Sequence, residues 1–407
     1  MRLIGRIAAV ALALAPASLA TGSALAAIAG DHVKIGVLTD MNGPASTLSG
    51  MGSVVAAQLA AEDFAAELPG VKIEIVEADH QLKADVASAI ARRWIDSENV
   101  NAIADVVSSS AALAVNDVVR GSKAVFLVSG GGTDALTGSA CSANTIHWTY
   151  DTWAVANSTV RAVFKSGGTT WFFVTADYAF GQALEKQSAI AVNALGGQVL
   201  GDVRHPFLTA DLSSYLLRAQ ASGAKVIGLA NSASDAANSI KQAGEFGMMK
   251  DHWLATLGLF ITDLQAVGAT TAQGLYVTES FYWNMNEGTR AFSKRWAERL
   301  GSGTRPTSIQ AGVYAATLHY LKAVKAANTT DGAVVAAKMK ELPTDDPLFG
   351  HGTIRADGRK IHNMYLFQVR VPGPTDDPWD IYKLVQTTPG DEAFRPLKDG
   401  GCPLLSN

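Results

Sequence analysis

The chain lacks the sequence patterns of most enzymes and nucleic-acid-binding proteins. No H-E-x-x-H, G-x-S-x-G or C-x-x-C pattern occurs, and the eight histidines show no metal-ligand spacing. Neither a G-x-G-x-x-G nor a G-x-x-x-x-G-K-[ST] loop is present, which argues against a bound nucleotide. The formal net charge is −4 and no basic cluster occurs, so nucleic acid is not an expected partner. We therefore expect neither an enzyme nor a cofactor.

Long apolar runs are also missing beyond the N-terminus. No later stretch approaches the roughly 18 uninterrupted apolar residues that a membrane-spanning helix needs. Residues 1–26 contain Arg2 and Arg6, then a run rich in Ala, Leu and Val, and then the small-x-small pattern that ends at Ala26. These features predict a secretory signal peptide, and therefore an exported protein. No cysteine lies near the cleavage site, so we do not expect a lipid anchor there.

Cysteine is scarce, with only Cys141 and Cys402 in 407 residues. Disulfides form in the oxidising compartments that exported proteins reach. We predict that these two cysteines form a disulfide that ties the C-terminal tail to the body. Two free thiols are the alternative.

The chain is rich in alternating strand and helix patterns. Predicted strands at 33–38, 71–77, 102–107 and 124–128 alternate with predicted helices, and the pattern restarts after Asp151 with strands at 169–174, 198–204, 225–230 and 253–256. Such alternation predicts parallel sheets with helices on both faces, which is an α/β fold. The length predicts two domains.

Polar and glycine-rich turns follow several predicted strands, and ligands bind at this end of parallel sheets. Ser108–Ser110 follows the third strand and Gly130–Gly132 follows the fourth. Thr133 and Asp134 are good N-cap residues, so we expect a helix or helical turn there. Glycines between a strand and a helix leave backbone N–H groups open to an anionic or polar ligand group. A tight turn without a ligand is the alternative.

Four segments in order resemble the branched-chain amino acid (Leu/Ile/Val-binding) type of periplasmic solute-binding protein of ABC transporters: KIGVLTDMNGP (34–44), DYAFG (177–181), QAGVYAA (310–316) and GTIRADG (352–358). The resemblance covers essentially the whole chain after the signal peptide. It implies a type I fold of two doubly wound α/β lobes joined by a three-crossing hinge. Lobe 1 would comprise residues 31–150 and 281–354, and lobe 2 residues 151–280 and 355–407 with the C-terminal tail. The resemblance further implies a periplasmic monomer that delivers a small-molecule ligand to an inner-membrane ABC permease.

The resemblance also implies a ligand site with contributions from both lobes. Ser109 and Ser110 match the serine that bonds the ligand carboxylate, and the loop Gly130–Thr133 matches the one that adds backbone and hydroxyl donors. Leu257 falls where amino-acid binders place the glutamate that pairs with the ligand ammonium. The predicted site residues are Leu48, Ser109, Ser110, Gly130, Gly131, Gly132, Thr133, Tyr150, Asp177, Phe180, Asn231, Ala233, Leu257 and Phe281.

A leucine at position 257 predicts that the ligand is not an amino acid, because an ammonium without a partner is costly to desolvate. Asp177 or Asp263 could replace the missing carboxylate, but both lie in turns where a solvated or capping role is expected. Tyr178, Tyr282 and Trp283 join Tyr150, Phe180 and Phe281 as candidate wall residues. The sequence resembles the family members that bind aromatic carboxylates such as benzoates and cinnamates. An amino-acid or amide binder and a ligand-sensing receptor domain are the alternatives.

Overall fold

The first parallel sheet gathers the strands of the N-terminal third of the chain. The computed structural model describes residues 31–405, so the predicted signal peptide lies outside the described residues. The strands β1, β3 and β4 are almost fully buried, because helices cover both faces of the sheet. The order is β2-β1-β3-β4-β5, with β1 (His32–Thr39), β2 (Lys72–Asp79), β3 (Ala102–Asp105), β4 (Val125–Val128) and β5 (Thr145–His147). The helices from this segment are α1 (Gly50–Phe64), α2 (Ala84–Asp96) and α3 (Ser109–Val119).

The second parallel sheet repeats this architecture in the middle of the chain. Its order is β7-β6-β8-β9, with β6 (Thr170–Ala176), β7 (Gln198–His205), β8 (Val226–Ala230) and β9 (Trp253–Thr256). Five helices accompany it: α4 (Thr152–Lys165), α5 (Ala179–Ala194), α6 (Ser213–Ala221), α7 (Ala233–Glu245) and α8 (Ile261–Val267). The predicted α/β class with two parallel sheets is confirmed.

The rest of the chain adds elements to both lobes. The helices α9 (Glu287–Leu300) and α10 (Ser308–Ala327) pack on α1, and α11 (Gly332–Glu341) packs on α10. A small sheet in the order β11-β12-β13 follows, with β11 (Thr344–Asp346), β12 (Gly350–Ile354) and β13 (Lys360–Ile361). A fourth sheet, also antiparallel, lies against α4, with the order β10-β14-β15, formed by β10 (Tyr276–Glu279), β14 (Met364–Val369) and β15 (Tyr382–Thr388). The last α-helix is the short α12 (Gly390–Ala393).

The start of α1 differs from the sequence prediction for a local reason. The pattern predicted a helix from about Ser46, but α1 begins at Gly50. The Asp40 carboxylate accepts hydrogen bonds from the backbone N–H groups of Gly43 (3.1 Å) and Ala45 (2.8 Å). This side-chain cap holds the segment in a turn and delays the helix.

A buried arginine joins the two lobes where the chain passes between them. Arg359 is fully buried, and its guanidinium donates hydrogen bonds to the backbone carbonyls of Thr149 and Tyr150. It also lies 3.5 Å from the Asp151 carboxylate. His147 forms an isolated parallel bridge with Arg359. The backbone segments near 147–151 and 355–362 are therefore held together by the Arg359 side chain, by this backbone bridge and by the His362 ring, whose Nε2 lies 2.7 Å from the Thr149 carbonyl oxygen.

The C-terminal tail is tied to lobe 1. Cys141 and Cys402 form the predicted disulfide, with a Cα–Cα distance of 5.5 Å. Arg395 adds an ion pair with the Asp134 carboxylate and a hydrogen bond of 3.0 Å to the Asp134 carbonyl. Asp134 begins a 3-10 helix at Asp134–Thr137, where a helical turn was predicted.

Within residues 31–405, none of the helices combines the length and the apolar character needed to cross a membrane.

Replacing both cysteines with serine is expected to lower the free energy of unfolding by about 2–5 kcal/mol, because the unfolded chain would regain the freedom of a very long loop. Urea unfolding without reductant measures the difference. Reductant should shift the wild type toward the variant and leave the variant unchanged. Equal midpoints for the oxidised wild type and the variant would contradict the expectation.

A second prediction concerns Asp105, a carboxyl group buried at the end of β3. Burial raises its pKa to about 7, although the hydroxyls of Ser53 and Thr39 act in the opposite direction. Between pH 4 and pH 7 the unfolded chain loses this proton and the folded chain keeps it, so stability should fall as the pH rises through this window. The free energy of unfolding of the wild type should therefore decrease between pH 4 and pH 8. In Asp105→Asn this decrease should be smaller than in the wild type by on the order of 2–4 kcal/mol.

Denaturant unfolding at several pH values between 4 and 8 measures how the free energy of unfolding changes with pH. Asp96→Asn, at an exposed position at the end of α2, is the matched control and should keep the wild-type profile. A profile for Asp105→Asn that parallels the wild type would refute the assignment.

Candidate functional site

A cavity of about 160 Å³ lies between the two lobes, at the carboxyl ends of the parallel strands. Both lobes contribute to its wall, and none of the residues that line it carries a charged side chain. The lining residues are Pro44, Ala45, Leu48, Leu82, Val107, Ser108, Ser109, Ser110, Gly130, Tyr150, Tyr178, Phe180, Phe207, Ser232, Ala233, Phe260 and Ile309.

The serine-rich part of the wall begins with an unusual backbone turn. Asp105 and Val106 both adopt positive φ angles, 80° and 61°. This conformation is strained for a β-branched valine, and such strain is found most often at functional sites. The turn leads directly into Ser108, which caps α3 by accepting a hydrogen bond from the N–H of Ala111 (3.4 Å).

Ser109 offers a hydroxyl with no protein partner. Its side chain is 1% exposed, and its Oγ has no hydrogen bond among the described residues. Ser110 is exposed, and its Oγ lies 3.1 Å from that of Ser108. A buried hydroxyl without a partner is costly, so Ser109 is suited to bond a molecule in the cavity.

Four helices of at least eleven residues begin at the cavity wall. Ser108 precedes α3, Tyr178 precedes α5, Ser232 precedes α7, and Ile309 is the second residue of α10. Each helix N-terminus carries a partial positive charge and N–H groups that lack intrahelical acceptors. The cavity therefore favours a negative group although no basic side chain lines it.

Aromatic rings form the apolar part of the wall. The Tyr150 ring centroid lies 6.3 Å from that of Phe180 and 5.3 Å from that of Phe260, in edge-on geometry. The Tyr178 ring lies 6.2 Å from Phe180 and stacks on Phe207 at 4.4 Å. These lining rings give the cavity an aromatic surface that suits an apolar ligand ring.

Glycine is required beside these rings. A Cβ on Gly132 would lie 2.6 Å from the Phe180 ring and 2.8 Å from the Tyr150 ring. Gly132 thus lets the two rings approach the loop from opposite lobes, and its own backbone carbonyl accepts a hydrogen bond from Thr152.

The structure brings half of the predicted site residues to the cavity. Seven of the fourteen line it: Leu48, Ser109, Ser110, Gly130, Tyr150, Phe180 and Ala233. The other seven are not among the lining residues: Gly131, Gly132, Thr133, Asp177, Asn231, Leu257 and Phe281.

Most of these seven residues have structural roles that explain their positions. Asp177 is exposed, and its carboxylate accepts a hydrogen bond from Gln182 (2.8 Å). Asn231 donates to Ser239 (2.9 Å).

Phe281 packs on Phe292 and Phe349, away from the cavity. Thr133 accepts from the N–H of Ala135 (3.3 Å). Gly131 has no room for a side chain, because a Cβ there would collide with Ala112.

The position of Leu257 matters most for the choice of ligand. It is fully buried in an apolar cluster with Phe180 and Phe260, behind the wall. Asp263 does not line the cavity either, since its carboxylate accepts a hydrogen bond from the N–H of Phe260 (3.0 Å) as a helix cap. Burial raises the pKa of Asp263 to about 7. The cavity wall thus presents no carboxylate to a ligand ammonium.

Several lining residues escaped the prediction of the site. Ser108 belongs to the serine run that the sequence placed at the ligand-binding end of a sheet, although only Ser109 and Ser110 of that run were predicted to bind the ligand. Ser232 follows β8 at the equivalent end of the second sheet, so the same signal applied to it. Phe207 and Phe260 lie in connections with no periodic pattern, and nothing local marks them. Of the other aromatic candidates, Tyr178 lines the cavity, whereas Tyr282 and Trp283 contact Trp379.

Comparisons with known proteins agree with this architecture. A periplasmic binding protein from Burkholderia mallei is 45% identical over 92% of this chain and 100% of its own, with a TM-score of 0.89. A branched chain amino acid ABC transporter periplasmic ligand-binding protein from Burkholderia xenovorans LB400 is 39% identical over 91% of this chain and 99% of its own, with a TM-score of 0.82. The Leu/Ile/Val-binding protein homolog 6 of Brucella abortus (strain 2308) is 23% identical over 92% of this chain and 95% of its own.

More distant solved structures share the fold. A solute-binding protein from R. palustris in complex with benzoate is 20% identical over 91% of this chain and 99% of its own, with a TM-score of 0.78. The model of the family described as periplasmic binding protein matches residues 32–376. The predicted resemblance is confirmed: the chain belongs to the periplasmic binding protein family and has its type I fold of two α/β lobes.

Proposed function

We propose that the protein captures a small carboxylate, most favourably an aromatic acid of the benzoate or cinnamate kind, and delivers it to an ABC permease. The observation that carries this proposal is the cavity itself. It combines an unpartnered buried serine hydroxyl and converging helix N-termini with aromatic walls, and its lining has no charged side chain. Such a cavity stabilises an anionic group at one end and an apolar ring beside it.

The carboxylate would lie at the N-terminus of α3. Ser109 supplies a hydroxyl donor, Ser110 a second one, and the helix supplies N–H groups with a partial positive charge. Gly130 also lines this part of the wall, and its carbonyl accepts a hydrogen bond from the Tyr150 hydroxyl (3.3 Å). The ring of the ligand would pack on Tyr150, Phe180 and Phe260.

An amino acid of the branched-chain type is the second candidate. The similarity to the Burkholderia xenovorans protein supports it, whereas the absence of a carboxylate on the cavity wall opposes it. An isolated ammonium would lose its hydration without gaining a counter-charge. The complex of the R. palustris protein with benzoate supports the aromatic acid, since that protein shares the fold.

Binding without chemistry fits the cavity better than catalysis does. No histidine, cysteine or acidic side chain lies among the lining residues, so the serines have no general base beside them there.

We infer a periplasmic monomer that is exported through the signal peptide at residues 1–26. A ligand-sensing protein would use the same cavity. Binding of the ligand-loaded protein to the permease, and not to a receptor, would distinguish transport from sensing.

Ser109→Ala is expected to weaken the binding of benzoate by about 1–3 kcal/mol, because the buried carboxylate loses a donor. Isothermal titration calorimetry measures the change. Ser88→Ala, on α2 of the same lobe, removes a hydroxyl that bonds only to its own helix and should leave the affinity unchanged. Tight binding of leucine or valine by the wild type, with no heat from any aromatic acid, would overturn the proposal.

Ligand binding should also make the molecule more compact, as hinged lobes close on the ligand. Gln187 of lobe 2 donates to the Asp134 carboxylate of lobe 1 (3.0 Å), and Arg305 of lobe 1 pairs with Asp377 of lobe 2. These contacts favour the closed arrangement. Small-angle scattering is expected to show a smaller radius of gyration at a saturating concentration of benzoate than without it. An unchanged radius, with binding verified by calorimetry, would argue against closure.

A further inference from the structure

The cavity has hydroxyl groups on both lobes, and the carboxylate accounts for only one set. Lobe 1 contributes Ser108, Ser109 and Ser110. Lobe 2 contributes Tyr178 and Ser232, whose hydroxyl oxygens lie 3.1 Å apart. The pair on lobe 2 does not hold a carboxylate that is bound at α3. It is therefore available for a second polar contact with the ligand.

An aromatic ring separates the two hydroxyl sets. The Tyr150 hydroxyl bonds Gly130 at the lobe 1 end of the wall. Phe180 is next, with its ring centroid 6.3 Å from Tyr150 and 6.2 Å from Tyr178. A ligand whose ring packs on Phe180 can therefore extend from the serines of lobe 1 toward Tyr178.

Ser232 is held in place by Tyr178 instead of by its helix. It occupies the N-cap position of α7, but its hydroxyl makes no capping bond to the helix N–H groups. Tyr178 is in turn fixed by stacking on Phe207 at 4.4 Å. The pair is thus prepositioned by packing rather than by the usual cap.

Hydrogen counting shows that the pair can still donate. Two hydroxyl groups carry two hydrogens, and the bond between them uses one. No other hydrogen bond of either hydroxyl is found in residues 31–405. Burial raises the pKa of the Tyr178 hydroxyl, so it keeps its proton at neutral pH. The pair therefore offers one free donor as well as lone pairs that can accept.

We propose that Tyr178 and Ser232 select ligands that carry a hydroxyl group on the side of the ring opposite the carboxylate. A ring hydroxyl both donates and accepts, which matches what the pair leaves open. A site built for such a hydroxyl rejects an analogue that lacks it, because the protein groups are then left without partners. This inference rests on the proposed capture of an aromatic carboxylate.

Calorimetry with 4-hydroxybenzoate, 4-methylbenzoate and benzoate tests the proposal, since a methyl group resembles a hydroxyl in size but forms no hydrogen bond. The wild type is expected to bind 4-hydroxybenzoate at least about tenfold more tightly than 4-methylbenzoate. Tyr178→Phe and Ser232→Ala should each reduce this ratio to within about threefold, because 4-hydroxybenzoate loses the partner of its ring hydroxyl. Thermal unfolding verifies that both variants fold.

Ser110→Ala is the matched control on lobe 1. It should weaken all three acids together and keep the ratio between the hydroxyl and methyl compounds. Equal binding of the three acids by the wild type would overturn the selectivity and leave the proposed function intact. A loss of benzoate affinity in Tyr178→Phe with an unchanged ratio would also overturn it, because the carboxylate would then lie at lobe 2. No heat from any of the three acids would overturn both proposals.

Discussion

The direction of the parallel strands is the constraint from which the rest of this molecule follows. In a β-α unit the helix starts where the strand ends, so one edge of each sheet collects helix N-termini. Here α3 follows β3 on lobe 1, while α5 and α7 follow β6 and β8 on lobe 2. Both edges face the same cavity. A positive field is thereby created by backbone alone, and the wall needs no lysine or arginine to attract an anion.

The passage between the lobes depends on a different kind of interaction. Arg359 is a fully buried cation, and burial lowers its pKa to about 10. The cost of desolvation is offset by backbone carbonyls of Thr149 and Tyr150 and by the nearby Asp151 carboxylate. Tyr150 also lines the cavity, so the residue that touches the ligand space is anchored through its own carbonyl to the segment that links the lobes. The cavity wall and the segment that links the lobes therefore share one residue.

The fold could be predicted from the sequence to a large extent, whereas the residues that line the cavity could be predicted only in part. Strand and helix patterns repeat locally, and the two cysteines left a single possible pairing. Ser109, Ser110 and Gly130 could be predicted because they follow buried strands directly. Leu257 also follows a strand, β9, but successive side chains of an extended chain point to opposite faces. Its position along the chain was therefore not enough to place it on the wall, and it points into the core instead. Phe207 depends on long-range packing that no local pattern shows.

The disulfide between Cys141 and Cys402 has a mechanical consequence for the movement of the lobes. The strand β15 pairs within the sheet beside α4, yet the chain that follows it is covalently attached to lobe 1. Residues 389–401 therefore form a tether between the lobes in addition to the three hinge crossings. Phe394 of this tether lies under the Arg359 guanidinium, with its ring centroid 4.3 Å from the guanidinium carbon, so the tether runs beside the buried arginine that binds the segment at 149–151. A covalent link of this kind limits how far the two connected parts of the chain can separate, so the disulfide sets an upper bound on any displacement between them.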